Sequence, residues 1–220
     1  MRALVSGASS GIGAAISKRL LADGWQVTGL CRSAPAAGIR HVSVDLSDAD
    51  GTRAALASLT PFDAVIHAAG LLRVGRHETM DMEDGAAMWR LHVQVTAELI
   101  QALAPQMPEG GRIVLIGSRV AQGAAGRSLY AASKAAMVGL ARSVAAELAP
   151  RRITVNVVAP GATDTPMLRD PARISEPPRT PPMGRLIQPA EVAGTVAFLL
   201  SDAAQSITGQ QIVMCGGGSL

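Results

Sequence analysis

Tyr130 and Lys134 are the two side chains of this sequence best placed to do chemistry together. Tyr130 is the only tyrosine among 220 residues, and Lys134 is one of two lysines in a chain that otherwise takes its positive charge from arginine. On a helix, positions four apart share a face, so phenol and ammonium can meet. A phenol with an ordinary pKa of ~10 is a poor acid near neutrality. A cation a few ångströms away favours the phenolate, and such a group can trade protons with a carbonyl or an alcohol. Ser118 ends an apolar run upstream and could donate a hydrogen bond to the same oxygen. The structural alternative is a buried tyrosine, a solvated lysine and a turn serine.

Such residues need elements to hold them. Short β-branched runs at residues 3–6, 26–30, 41–44, 64–68, 112–116, 153–158 and 211–214 alternate with helical patterns at 12–22, 84–104, 130–148 and 190–200. Continuous apolar runs suit strands buried on both faces. The alternation reads as an α/β fold: a Rossmann-like, doubly wound parallel sheet of about seven strands with helices on both faces. One connection is too short for that plan. Only about ten residues, 31–40, separate the second and third runs, and Pro35 and Gly38 lie among them. Parallel strands need a crossover of about a dozen residues or more. The sequence therefore predicts that the crossover helix is missing there, with no helix longer than one turn and one sheet face less covered.

Directly after the first run comes Gly7-Ala8-Ser9-Ser10-Gly11-Ile12-Gly13, and a helix follows. A glycine turn at a helix N-terminus presents bare amides and the positive end of a dipole, which together hold a pyrophosphate. Sites that prefer NAD place a carboxylate about twenty residues beyond this turn, on the ribose 2′-hydroxyl. Here Cys31 and Arg32 stand in that place. A thiol does not repel a 2′-phosphate and a guanidinium can bind one, so NADP(H) is expected, with NAD the less favoured cofactor. The alternative is that Arg32 is a solvated loop residue.

Composition excludes several classes. Hydrophobic residues make up 48% of the chain and aromatic ones 2%, so aliphatic side chains must build the core of what reads as one domain spanning 1–220. No apolar run is long enough for a membrane span. The net charge of +3 has no basic stretch interleaved with aromatics, so nucleic acid is not implied. Two cysteines make no disulfide framework, no metal site is expected, and a strand-like start leaves no signal peptide; a cytoplasmic setting is expected.

With these motifs in view the chain resembles the short-chain dehydrogenase/reductase family, over residues 4–217. Gly7, Gly11 and Gly13 match the family's cofactor turn, with Ser9, Ser10 and Ile12 within it, and Asp45-Leu46 match the position beside the adenine. His67-Ala68-Ala69-Gly70 match an Asn-Asn-Ala-Gly segment with both asparagines replaced. Residues 113–118 match the strand that ends in the catalytic serine, here Ser118, and Tyr130 and Lys134 match the catalytic pair. Asn156 and then Pro160, Gly161, Thr163 and Thr165 match the segment that holds the nicotinamide. The resemblance implies Tyr130 as general acid/base, Ser118 as donor to the substrate oxygen, and Lys134 as the group that lowers the tyrosine pKa and holds the ribose. The spacing from Ser118 to Tyr130 is one residue shorter than is frequent in the family. His92 falls where the family has a helix asparagine; it reads as a packed histidine, with a part in proton transfer as the alternative.

Residues 166–189 are rich in proline and arginine, including Pro171, Pro177, Pro178, Pro181, Pro182, Arg169, Arg173, Arg179 and Arg185. They read as a substrate lid whose arginines either attract an anion or are simply solvated. The implied activity is hydride transfer between NADP(H) and a small carbonyl or secondary alcohol. Reduction of a 3-oxoacyl thioester and a catalytically silent dinucleotide sensor are the alternatives. Small and apolar residues around helices 84–104 and 130–148 predict self-association, and the resemblance implies that these helices form one interface and the last strand with residues 216–220 another, so a homodimer or homotetramer is expected.

Overall fold

The computed structural model describes residues 1–170 and 179–220. Pro171, Arg173, Pro177 and Pro178 of the expected lid lie outside the described residues. The order is β1 (Arg2–Ser6), α1 (Gly11–Ala22), β2 (Gln26–Cys31), β3 (Arg40–Ser43), α2 (Ala49–Ala57), β4 (Ala64–His67), α3 (Met82–Trp89), a π-helical turn (Arg90–Gln94), α4 (Val95–Leu103), β5 (Arg112–Ile116), α5 (Ser128–Leu148), β6 (Thr154–Pro160), α6 (Pro189–Leu200) and β7 (Gln211–Met214). All neighbouring strands pair in parallel, in the order β3-β2-β1-β4-β5-β6-β7. The chain winds outward from β1 to β3 and then returns to β4 on the other side of β1. That reversal opens a crevice beyond the ends of β1 and β4, where doubly wound sheets bind ligands.

Alternation along each strand serves two apolar layers. Leu4, Ile113 and Leu115 join one layer with Leu99, Leu103, Met137 and Ala141 of α4 and α5. Ala3, Val5, Val114 and Ile116 join the other with Ile16, Leu20, Val192 and Val196 of α1 and α6. Burying one such larger aliphatic side chain contributes about 1.5–3 kcal/mol, whereas an exposed ion pair contributes about 0–1 kcal/mol. Apolar layers therefore set the geometry, and surface pairs such as Arg19–Asp23 do not.

The short connection carries no helix, as its length predicts. Pro35 and Ile39 instead lie close over β2: a Cβ on Gly29 would sit 3.3 and 3.2 Å from their side chains. The outer strand β3 is correspondingly bare, with Arg40, His41 and Ser43 exposed, as the expected loss of cover at this edge requires, and unlike the strands buried on both faces. The sequence reading also missed α2. Asp48 caps that helix by accepting from the Asp50 N–H. Gly51, which looks like a breaker, makes room for the cap, since a Cβ there would lie 2.5 Å from an Asp48 carboxylate oxygen. Finally, the helix expected over 84–104 is divided by the π turn at Arg90–Gln94.

Candidate active site

The crevice holds a cleft of about 530 Å3. Ser118, Tyr130 and Lys134 all line it, as do Ile12, Ala68, Gly70, Pro160, Gly161, Thr163 and Thr165. Ser118 follows the end of β5 and caps a 3-10 turn by accepting from the Val120 N–H at 3.1 Å, so its own proton remains available to an oxygen in the cleft. Tyr130 and Lys134 stand one turn apart at the start of α5, and Lys134 Nζ lies 5.9 Å from the Tyr130 ring centroid. Lys134 is 3% exposed and donates from Nζ to the Ile116 carbonyl at 2.8 Å. Burial pulls its pKa down to about 7.

The remaining expected residues lie along the turn and the edge toward β3. Gly7 has φ +70°, and a Cβ on it would meet the Ala69 backbone at 2.8 Å; one on Gly13 would lie 2.1 Å from the Gly7 carbonyl oxygen. These clashes require glycine and let α1 begin hard against the ends of β1 and β4. Gly11 faces Thr165 across the crevice, 3.4 Å from its side chain by the same measure. Ser10 is exposed and its side chain makes no cap bond, so the first amides of α1 are open to a ligand. Bare amides, a helix N-terminus and a narrow cradle fit a dinucleotide diphosphate.

Farther out, Cys31 is buried beside Ser9, and desolvation raises its thiol pKa. Arg32 is exposed and sits 3.9 Å from the Asp45 carboxylate. Asp45 accepts from the N–H and hydroxyl of Ser47, which hold its pKa below the ordinary value. Leu46 is buried in the α4/α5 layer. Asn156 does not reach the cleft. It donates to the Ile207 carbonyl and accepts from the Gln210 N–H, which braces the approach to β7. Among the described residues no group of His, Cys, Asp and Glu could hold a metal ion, and no helix is long and apolar enough to cross a membrane.

A family model described as enoyl-(acyl carrier protein) reductase matches residues 7–219. The 2,3-dihydro-2,3-dihydroxybenzoate dehydrogenase of Escherichia coli K12 is 35% identical, covering 98% of this chain and 96% of its own length. The chain belongs to the short-chain dehydrogenase/reductase family. Similar, too, is the 3-oxoacyl-acyl-carrier-protein reductase FabG of Salmonella typhimurium LT2, 35% identical over 98% of this chain and 96% of that protein. Among solved structures, a short-chain dehydrogenase of Burkholderia cenocepacia J2315 in complex with NADP superimposes with a TM-score of 0.87 at 35% identity, covering 100% of this chain and 98% of that one.

This short-chain dehydrogenase/reductase carries two buried histidines, His67 and His92. His67 donates from Nε2 to the Leu91 carbonyl in the π turn and accepts at Nδ1 from the Ser6 hydroxyl, 2.7 Å away. Ser6 in turn accepts from the Ala68 and Ala69 N–H groups. His92 accepts at Nε2 from the Leu71 N–H and donates from Nδ1 to Ser133, which donates to the Tyr130 carbonyl. Each ring is thus fixed in one neutral tautomer. Burial, reinforced by the charge of Lys134, lowers His67 to about 3 and takes His92 well below the ordinary range. Sequence reading placed His92 as a packed residue but missed its ties to the Leu71 backbone and to Ser133.

Sequence reading also missed that Arg119 and Arg127 line the cleft. The available signal was the adjacency of Arg119 to Ser118. Of the lid arginines, Arg169 pairs with Asp164 and Arg185 with Glu191, so both are neutralised locally, while Arg179 lines the cleft.

Proposed function

We propose that this short-chain dehydrogenase/reductase transfers hydride between NADP(H) and a carbonyl or secondary alcohol. The convergence of Ser118, Tyr130 and Lys134 on one cleft beside the glycine cradle carries the reading. Tyr130 gives its proton to the carbonyl oxygen, or removes one from an alcohol in reverse. Ser118 donates to the same oxygen as negative charge grows on it. Lys134, held by the Ile116 carbonyl, favours the phenolate and offers its remaining protons to the cofactor ribose. The cofactor, when bound, supplies or takes up the hydride. Gly7, Ser9, Ser10, Gly11, Ile12 and Gly13 would hold its diphosphate, Asp45, Leu46, Ala68, Ala69 and Gly70 its adenosine and ribose side, and Pro160, Gly161, Thr163 and Thr165 its carboxamide. Absorbance of NADPH followed over a panel of ketones, aldehydes and 3-oxoacyl thioesters tests the reading. The FabG relative favours the thioesters as a second substrate class.

The choice of NADP(H) rests on Arg32 and Cys31 at the end of β2, where the Arg32 guanidinium can meet a 2′-phosphate and offsets the Asp45 carboxylate 3.9 Å away. Arg32→Ala removes a charge-assisted phosphate contact, which typically costs about 1.5–3 kcal/mol or about ten- to a hundredfold in affinity. NADPH affinity falls by that factor in fluorescence titration while NADH affinity is nearly unchanged. An equal loss for both cofactors would count against the assignment. Asp45, freed from its partner, leaves a repulsive carboxylate near the phosphate and adds to the discrimination.

Self-association through the outer faces of α4 and α5 belongs to the same reading. Ala132, Ala135 and Gly139 are exposed along α5, and a Cβ on Gly139 would meet nothing within 4 Å, so a second helix can approach closely. Trp89 at the end of α3 is also exposed. Sedimentation is expected to give a dimer or tetramer; a single 22.5 kDa species at micromolar concentration rejects it.

A further inference from the structure

Arginines near the cleft fall into two groups. Arg73, Arg169 and Arg185 each lie within ion-pair distance of a carboxylate. Arg119 does not: it is half-buried, lines the cleft, and among the described residues has no carboxylate or carbonyl partner. It runs along the C-terminal glycine turn, where a Cβ on Gly218 would lie 3.6 Å from its Nε. Arg127 and Arg179 line the same cleft from two other segments. No Asp or Glu side chain among the described residues joins them in the lining. The rest of the wall near Ser118 is apolar, with Leu71, Leu72, Val120, Met167 and Leu168. A cationic residue held half out of water without an internal partner is poised for an anion brought by a ligand.

We propose that Arg119 holds the anionic end of the substrate, and that the substrates are small oxo acids, or hydroxy acids in the reverse direction. This rests on the hydride-transfer reading above. Ser118 and Arg119 are consecutive at the start of one 3-10 turn. Both residues line the one cleft, so a single substrate can set its carbonyl oxygen on the Ser118 hydroxyl and its carboxylate on the Arg119 guanidinium, with its apolar part against the aliphatic wall. In the reaction, hydride adds to the carbonyl carbon and the Tyr130 proton to its oxygen, and the phenol regains a proton from solvent. Oxo acid, NADPH and one proton give hydroxy acid and NADP+, with the carboxylate unchanged.

The test compares oxo acids with their methyl esters, as matched pairs, in the wild type, Arg119→Ala and Arg119→Lys. The wild type favours the acid. In Arg119→Ala the acid-to-ester ratio of kcat/KM falls about ten- to a hundredfold, chiefly through KM of the acid, and Arg119→Lys recovers part of it. Calorimetric titration of a saturated, unreactive carboxylate of the same skeleton into the NADP+ complex shows the same weakening without turnover. A wild type that prefers esters and neutral ketones overturns the anion subsite while leaving hydride transfer standing. So does an Arg119→Ala protein that loses acid and ester equally. Absence of turnover on every carbonyl offered, with NADPH still bound, overturns both.

Discussion

Tyr130→Phe lowers kcat by a factor of about 10²–10⁴, the range expected for loss of a positioned proton donor, while NADPH binds with nearly unchanged affinity. The substitution removes one oxygen and keeps the ring. Tyr130 is 7% exposed, and its ring makes an edge-on contact with His92 at a centroid distance of 5.5 Å. Phenylalanine preserves that packing, so an inactive variant cannot be blamed on a collapsed site. Single-turnover kinetics with a saturating carbonyl substrate, alongside fluorescence titration of NADPH, separate the two effects. Rates equal to the wild type would remove Tyr130 from the chemistry.

The second large effect is expected of Lys134→Met, and it runs in opposite directions for activity and stability. Turnover is lost, because nothing then favours the phenolate or ties α5 to the Ile116 carbonyl. Stability rises. Lys134 is fully enclosed with no carboxylate partner among the described residues, and burial lowers its pKa from an ordinary 10.5 to about 7. In the unfolded chain the amine stays protonated up to its ordinary pKa. Between about pH 7 and 10.5 the unfolded state therefore binds the extra proton, and wild-type stability climbs with pH through this group. Below pH 7 both states carry the charge and the full cost of burying it is present. Methionine has similar volume and no charge to bury. The mutant's advantage in Tm is thus largest at pH 6 and narrows steadily from pH 7 to pH 9. An advantage that is absent at pH 6, or that widens with pH, would show that the buried ammonium is not strained. Catalytic groups held at a cost to stability are a general pattern.

The sheet, its seven strands and the missing crossover were legible because they rest on local signals: β-branched runs, and a connection too short and too interrupted to coil. α2 was hidden because its cap and its glycine act together, Gly51 reading as a breaker until the Asp48 carboxylate is seen in the space it leaves. The π turn has a different origin. Nothing in Arg90–Gln94 favours a wider turn locally; the partners of that stretch, His67 on its Leu91 carbonyl and Leu71 on the His92 ring, come from β4 and the loop after it. Tyr130 and Lys134 could be paired from spacing alone, since a helix fixes that relation. Arg119 could not be weighed, because its proposed role lies in what surrounds it: the carboxylates that neutralise Arg169 and Arg185 do not line the cleft, and that is a property of the assembled structure.

A cleft mouth lined by arginines and by no acidic side chain among the described residues also governs how molecules arrive and leave. Both the dinucleotide and the proposed acid are anions, so the field of Arg119 and Arg179 draws each of them in and raises encounter rates at low ionic strength. At about 0.15 M salt the field is screened beyond ~8 Å, so the long-range pull fades while contacts inside the cleft persist. Reduction of the carbonyl leaves the carboxylate intact, and the mouth then grips product as firmly as it gripped substrate. The charge that hastens capture also delays escape, which makes ionic strength a control on departure as much as on arrival.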